Sequence, residues 1–119
     1  MKSTKKVQDR ISKYVSSFYA KTFGKGPRKI SVYIIEDMVI VRTYCNLLPI
    51  EKMLIKQNNG WKMVKDIRQA LHEATTSRMS SKLCKFLGKK VIRSHSDVST
   101  KSGERIEIYI LENKFEVVD

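Results

Sequence analysis

The sequence is poor in the residues that usually announce chemistry. Its 119 residues include two cysteines, two prolines, two histidines and a single tryptophan. Cys45 and Cys84 lie far apart, with no CxxC spacing and no histidine pair beside them. That excludes a disulfide framework or a zinc site as the first expectation and favours free thiols in a reducing cytoplasm. His72 and His95 form no HExxH pattern, and the chain has neither a GxSxG elbow nor a GxxxxGK[ST] phosphate loop. No metal site, cofactor site or catalytic constellation is expected, and the chain reads as a non-enzyme. Long apolar runs are missing too, whereas a membrane span needs ~20 such residues. The N-terminus MKSTKKVQDRI leads into no apolar segment of the signal-peptide kind.

Acids are also scarce. Lysine and arginine number 24 against 12 aspartates and glutamates, a net charge of +12. Residues 1–29 hold nine of the cations against one acid, and residues 61–90 eight against two, while residues 91–119 are net acidic. Both basic blocks fall on predicted helices. Such a field attracts polyanions, whether nucleic acid, anionic lipid or an acidic partner. A lysine-rich solvated surface accounts for the same charge equally well. With 41% hydrophobic residues the chain is ordinary for one globular domain able to bury a core.

Val7, Ile11, Tyr14, Val15, Phe18 and Thr22 recur at helical spacing and predict a first helix of about 20 residues, capped by Ser3 or Thr4 and stopped at Gly24. The loop Gly24-Lys25-Gly26-Pro27 follows, with Arg28 and Lys29 beside it. Free amides flanked by three cations can cradle an anion, so Gly24, Lys25, Gly26, Arg28 and Lys29 form a candidate anion site. A plain helix-to-strand connector explains the same residues.

Ile30–Ile35 and Met38–Thr43 predict a hairpin turning at Glu36-Asp37. Ile30, Val32 and Ile34 then share a core face with Val39 and Val41. The opposite face, with Tyr33, Ile35, Met38 and Ile40, is also apolar, which a water-facing side should not be. It predicts cover by helices or by a second subunit, and so a homodimer. Leu48-Pro49-Ile50-Glu51 reads as a helix start with Asn46 as its cap, ending at Asn58-Asn59-Gly60. A longer helical stripe runs from Trp61 through Val64, Ile67 and Leu71 to Met79, Leu83 and Leu87. At ~40 Å it outruns a compact domain of this size, so a bend or break near residues 75–81 is expected before Gly88 ends it. Glu51 and Arg68 are candidates for an ion pair between the two helices.

Val91–Val98 and Arg105–Leu111 predict a second hairpin around residues 99–104, with Ile106, Ile108 and Ile110 alternating with Glu107 and Tyr109 in a half-buried pattern. Both histidines are expected at the surface or in a second layer. The tail, residues 113–119, is expected to fray. The element order is thus α-β-β-α-α-β-β. It describes a single α+β domain over residues 1–119, ordered over about 4–112. Two hairpins form an antiparallel sheet packed with an N-terminal helix and a long central helix.

GKGP ahead of a hairpin, the acidic turn before Met38-Val39-Ile40-Val41, and Leu48 with Glu51 and Leu54 make a combined pattern. Gly60, Val64 and Arg68, then Gly88-Lys89-Lys90-Val91 and Ser96-Asp97-Val98, extend it over roughly residues 8–111. In this combination the chain resembles the MpsC or YbcI-like family of small bacterial proteins, named after the sodium-translocating membrane-potential-generating system. Cys45 stands where that pattern has glycine, and Pro49 where it has threonine. The resemblance implies a cytosolic accessory protein, or one peripheral to the inner face of the membrane, linked to ion or inorganic-carbon transport. It supplies no catalytic site.

The expected function is therefore a non-catalytic interaction protein, a basic homodimer docking on a membrane transporter subunit or on anionic lipid. Two other classes fit the residues. One is a nucleic-acid-binding module acting through non-specific charge. The other is a sensor holding bicarbonate or phosphate at Lys25, Arg28 and Lys29.

Overall fold

The structure, a computed structural model, describes residues 4–99 and 101–116. The first apolar stripe forms helix α1, Thr4–Phe23, with Val7, Ile11, Val15 and Phe18 buried along it. Gly24 stops it in a left-handed conformation, φ 78°. Ser3, one of the two expected caps, lies outside the described residues.

Strands β1 (Lys29–Ile35) and β2 (Met38–Tyr44) are antiparallel, pairing Val32 with Val41 and Ile35 with Met38 across a two-residue turn. Glu36 takes φ 55° there, a region unfavourable for a residue other than glycine. The C-terminal segment holds it. Leu111 N–H donates to the Asp37 carbonyl (2.7 Å) and Phe115 N–H to the Glu36 carbonyl (3.1 Å). Lys114 Nζ lies 3.3 Å from the Glu36 carboxylate, and Phe115 packs on the core. The expected fraying therefore does not apply to residues 113–116; residues 117–119 lie outside the described ones.

Helix α2 is short, Pro49–Leu54. Its cap is Leu48, not Asn46 as the sequence suggested. Proline forces the residue before it into extended backbone, and Leu48 sits at φ −72°, ψ 156°. Leucine has no side-chain acceptor, so only the returning half of a capping box forms, Leu48 N–H donating to Glu51 Oε1 at 2.8 Å.

Helix α3 runs unbroken from Gly60 to Leu87, so the bend expected near residues 75–81 does not form. Two physical reasons account for it. Thr75 Oγ1 donates back to the Leu71 carbonyl (2.9 Å), and Thr76 Oγ1 meets His72 and Ser94 (both 3.3 Å), so the hydroxyls do not compete with the helix ladder. The molecule is also elongated, 54 × 23 × 20 Å, with a radius of gyration of 15.2 Å against about 13.5 Å for a compact chain of this length. A ~42 Å helix fits along it.

Strands β3 (Val91–Val98) and β4 (Glu104–Leu111) complete a four-stranded antiparallel sheet in the order β1-β2-β4-β3. Thr100, within their connecting turn, lies outside the described residues. The architecture is the expected α+β arrangement. Helices α1 and α3 lie on one face, where Ile11, Val15, Val39, Val41, Leu83 and Tyr109 form the buried centre. Register decides what β4 contributes. Val39 faces Tyr109 and Val41 faces Glu107, so Arg105, Glu107, Tyr109 and Leu111 point to the helices and the isoleucines of β4 to the other side.

Replacing Glu36 by Asn relieves the left-handed strain at the hairpin turn, since asparagine tolerates that region better. Glu36→Asn should raise stability by about 0.5 kcal/mol, read as a higher urea midpoint at unchanged m-value.

Candidate functional site

The inward side of β4 places a carboxylate in the core. Glu107 is 3% exposed, and such a group is tolerated only when donors surround it. Tyr19 of α1 donates its hydroxyl to Oε1 at 2.8 Å, and Tyr109 donates to Oε2 at 2.5 Å. His72 of α3 puts Nδ1 2.9 Å from Oε2, which makes Nδ1 the protonated nitrogen. Burial alone would lift the Glu107 carboxyl. The His72 and Tyr109 hydrogen bonds, with the Arg105 charge, outweigh it and hold the carboxyl below the ordinary range. The same burial, reinforced by the Glu107 charge, pushes both phenols up.

A second buried carboxylate lies nearby. Glu51 of α2 takes a bidentate pair from Arg68 of α3, Nε to Oε2 and Nη2 to Oε1, both 2.7 Å. With the Leu48 N–H, both Glu51 oxygens are occupied. Burial raises its pKa, but the Arg68 hydrogen bonds and the Leu48 amide outweigh it and leave the carboxyl below its usual range. The Arg68 guanidinium is raised by the same bonds.

Arg105 differs from Arg68. It is 8% exposed, and its Nη2 donates to the backbone carbonyl of Arg68. Among the described residues no carboxylate pairs with it. Glu107 and Glu51 are near enough to be felt as charges, but their oxygens are spent on other donors.

Arg105 faces a cavity of about 70 Å³ at the end of the sheet. Tyr19 and Phe23 come from the end of α1, and Lys25 and Gly26 from the connector. Cys45, Asn46 and Leu48 come from the corner after β2, Glu51 and Arg68 from the two helices, with Leu71 beside them. The corner is tied to β4 by Cys45 N–H donating to the Gly103 carbonyl at 3.0 Å. Gly103 has φ 76°, and a Cβ there would sit 2.4 Å from the Cys45 carbonyl oxygen, so only glycine fits. Burial lifts the Cys45 thiol above its ordinary range against the pull of Arg68 and Arg105. It is a neutral wall, not a thiolate.

The residues singled out in the sequence distribute unevenly. Lys25, Gly26, Glu51 and Arg68 meet in this cavity. Gly24 does not line it. Arg28 and Lys29 lie over the Tyr44 ring, 5.6 and 5.9 Å from its centroid. Arg105, Tyr19 and the Glu107 network were not singled out. The available signal was charged residues alternating with isoleucine in a strand. His95 is exposed on β3, whereas His72 is buried at 4% exposure. No group of three or more metal-ligating side chains occurs among the described residues, and no helix among them is long and apolar enough to cross a membrane.

Residues 3–113 match the family described as "Na+-translocating membrane potential-generating system (MpsC)". The chain belongs to the MpsC family. Two relatives come from Bacillus subtilis (strain 168). "Uncharacterized protein YbcI" is 29% identical over 97% of this chain and 93% of its own length. "Uncharacterized protein YrhF" is 24% identical over 79% of this chain and 78% of its own. No solved structure matches the chain. In this MpsC-family chain, Glu51 and Arg68 therefore carry a buried pair, and Arg105 a buried charge without one.

Removing one partner of a buried pair strands the other. Glu51→Gln should cost about 3 kcal/mol at neutral pH. Because the Glu51 pKa is depressed in the fold, its contribution is present above the unfolded value near ~4.3. It is lost as pH falls through the folded value. Urea midpoints measured between pH 7 and 3 should therefore fall less steeply with acid in Glu51→Gln than in wild type. Gly103→Ala should cost several kcal/mol, on the order of a strained buried substitution, and loosen the corner at Cys45, read by faster amide exchange at Cys45 than in wild type.

Proposed function

We propose that this chain is a non-catalytic accessory protein of a membrane-potential system, and that it holds a small oxyanion in the Arg105 cavity. Family membership supports the link to a membrane-potential system. The observation that carries the oxyanion reading is Arg105, a buried guanidinium facing a cavity with no carboxylate paired to it. A fixed, planar donor fork in a low-dielectric site is matched by carboxylate, bicarbonate or phosphate oxygens. Lys25 adds charge at the mouth and Asn46 a polar group, while Phe23, Leu48 and Leu71 supply apolar wall. The volume is far below the roughly 300–1,000 Å³ of a site for a larger ligand, which favours an ion of a few heavy atoms over a nucleotide. The +12 charge draws anions toward the molecule. In this reading anion occupancy, sensed between α1, α2, α3 and β4, is what the protein reports to a transporter subunit at the inner face of the membrane.

Thermal unfolding in a panel of anions at equal ionic strength tests this. Bicarbonate, acetate or phosphate at ten times its Kd should raise Tm by roughly 5 °C over chloride. Arg105→Met should abolish the shift, and Lys25→Ala should weaken it. Arg28→Ala should leave it intact, because Arg28 lies over Tyr44. A panel with no anion ahead of chloride, or a shift retained in Arg105→Met, contradicts the reading.

A further inference from the structure

The face of the sheet opposite the helices is uncovered, and it is apolar. Consecutive rows across the strands are Ile35, Met38 and Ile110 ending at Arg93, then Tyr33, Ile40 and Ile108 ending at His95. The next row adds Ile106 between Arg42 and Asp97. Tyr33 is 43% and Ile35 50% exposed. Among the described residues no helix packs there: the buried core lies on the other side. A water-facing side of an antiparallel sheet is normally polar, and apolar patches of this extent mark interaction surfaces.

We propose that this face docks a second copy of the same chain, sheet against sheet. The uncharged centre of the face and its area argue for that occupant. The chain carries +12, so two copies repel across most of their surfaces. The centre of the open face, from Tyr33 and Ile40 to Ile108, carries no ionised group; the cations Arg93 and Lys29 stand at its ends. Arg42 is neutralised by Glu104 at 2.6 Å, and Asp97 is paired with Lys65 of α3 at 3.3 Å. Area is consistent with self-association. Four strands ~4.8 Å apart and seven residues at ~3.3 Å give a face of roughly 20 × 23 Å. Two such faces bury on the order of 1,000 Å² together, the threshold of a specific interface.

Pairing edge to edge is the competing route, and the edges are obstructed. On β1 the Ile34 N–H donates to Gln8 Oε1 of α1 at 2.9 Å. On β3 the register shifts between Val91 and Arg93. Both devices discourage strand addition. Face-to-face packing at ~10 Å spacing, with Ile40 and Ile108 at its centre, is left. This inference stands apart from the anion reading, since none of its residues lines the Arg105 cavity.

Sedimentation equilibrium of the full chain at about 50 µM tests it, a concentration at which a micromolar dimer is filled. Wild type should run at twice the 13.8 kDa chain mass. Tyr33→Lys combined with Ile35→Lys places unpaired charges in the interface. It should weaken the dimer by at least roughly 100-fold and run at the chain mass, with unchanged far-UV circular dichroism. Both side chains are exposed in the single chain, so the double variant leaves its core intact. A wild-type monomer overturns the proposal. So does a double variant that remains dimeric, including one that disperses only when Ile67→Lys is added on α3.

Discussion

The Glu107 carboxylate, buried on a central strand, is the constraint around which the rest of the molecule is arranged. An ionised group at 3% exposure is costly unless several donors converge on it. Here they come from three elements: Tyr19 from α1, His72 from α3, and Tyr109 from its own strand. The cluster therefore fixes both helices against the same face of the sheet. It also fixes the side of β4 that turns inward, and with it the position of Arg105 two residues away. Apolar packing around Ile11, Val39 and Leu83 provides the bulk of the core; Glu107 provides its orientation.

Arg68 and Arg105 show how one residue type serves two ends. Arg68 is matched in geometry and charge by Glu51, so its contribution is structural, joining α2 to α3. Arg105 has a backbone carbonyl and a cavity. Glu107 and Glu51 offset its charge at a distance, but neither carboxylate contacts it. The neutral Cys45 thiol, the glycine-dependent corner at Gly103 and the apolar side chains of Phe23 and Leu48 shape that cavity without filling it.

Much of the fold was legible because its signals are local. The spacing of Val7, Ile11, Val15 and Phe18 gives α1, and the alternation through Val32, Val39 and Val41 gives the first hairpin and its core face. The central helix is more continuous than its local sequence suggests. Thr75 and Thr76 are weak helix formers in isolation, but here their hydroxyls are absorbed by the Leu71 carbonyl, His72 and Ser94. Half of the site was legible. Lys25 with Gly26 and Glu51 with Arg68 stood out separately, and only the closed chain brings them together. Arg105 and Glu107 were hidden because ERIEIYIL offers isoleucine as the natural inward residue. Which set turns inward is settled by register with Val39 and Val41 on another strand, a long-range fact. Arg28 and Lys29 look like Lys25 in sequence but project to Tyr44.

Anomalous diffraction from crystals grown with selenate locates a bound oxyanion by its own signal. A selenium peak is expected in the cavity between α1 and β4, with oxyanion oxygens within hydrogen-bond distance of the Arg105 guanidinium. Selenate bound at surface lysines while the Arg105 cavity holds none would contradict it.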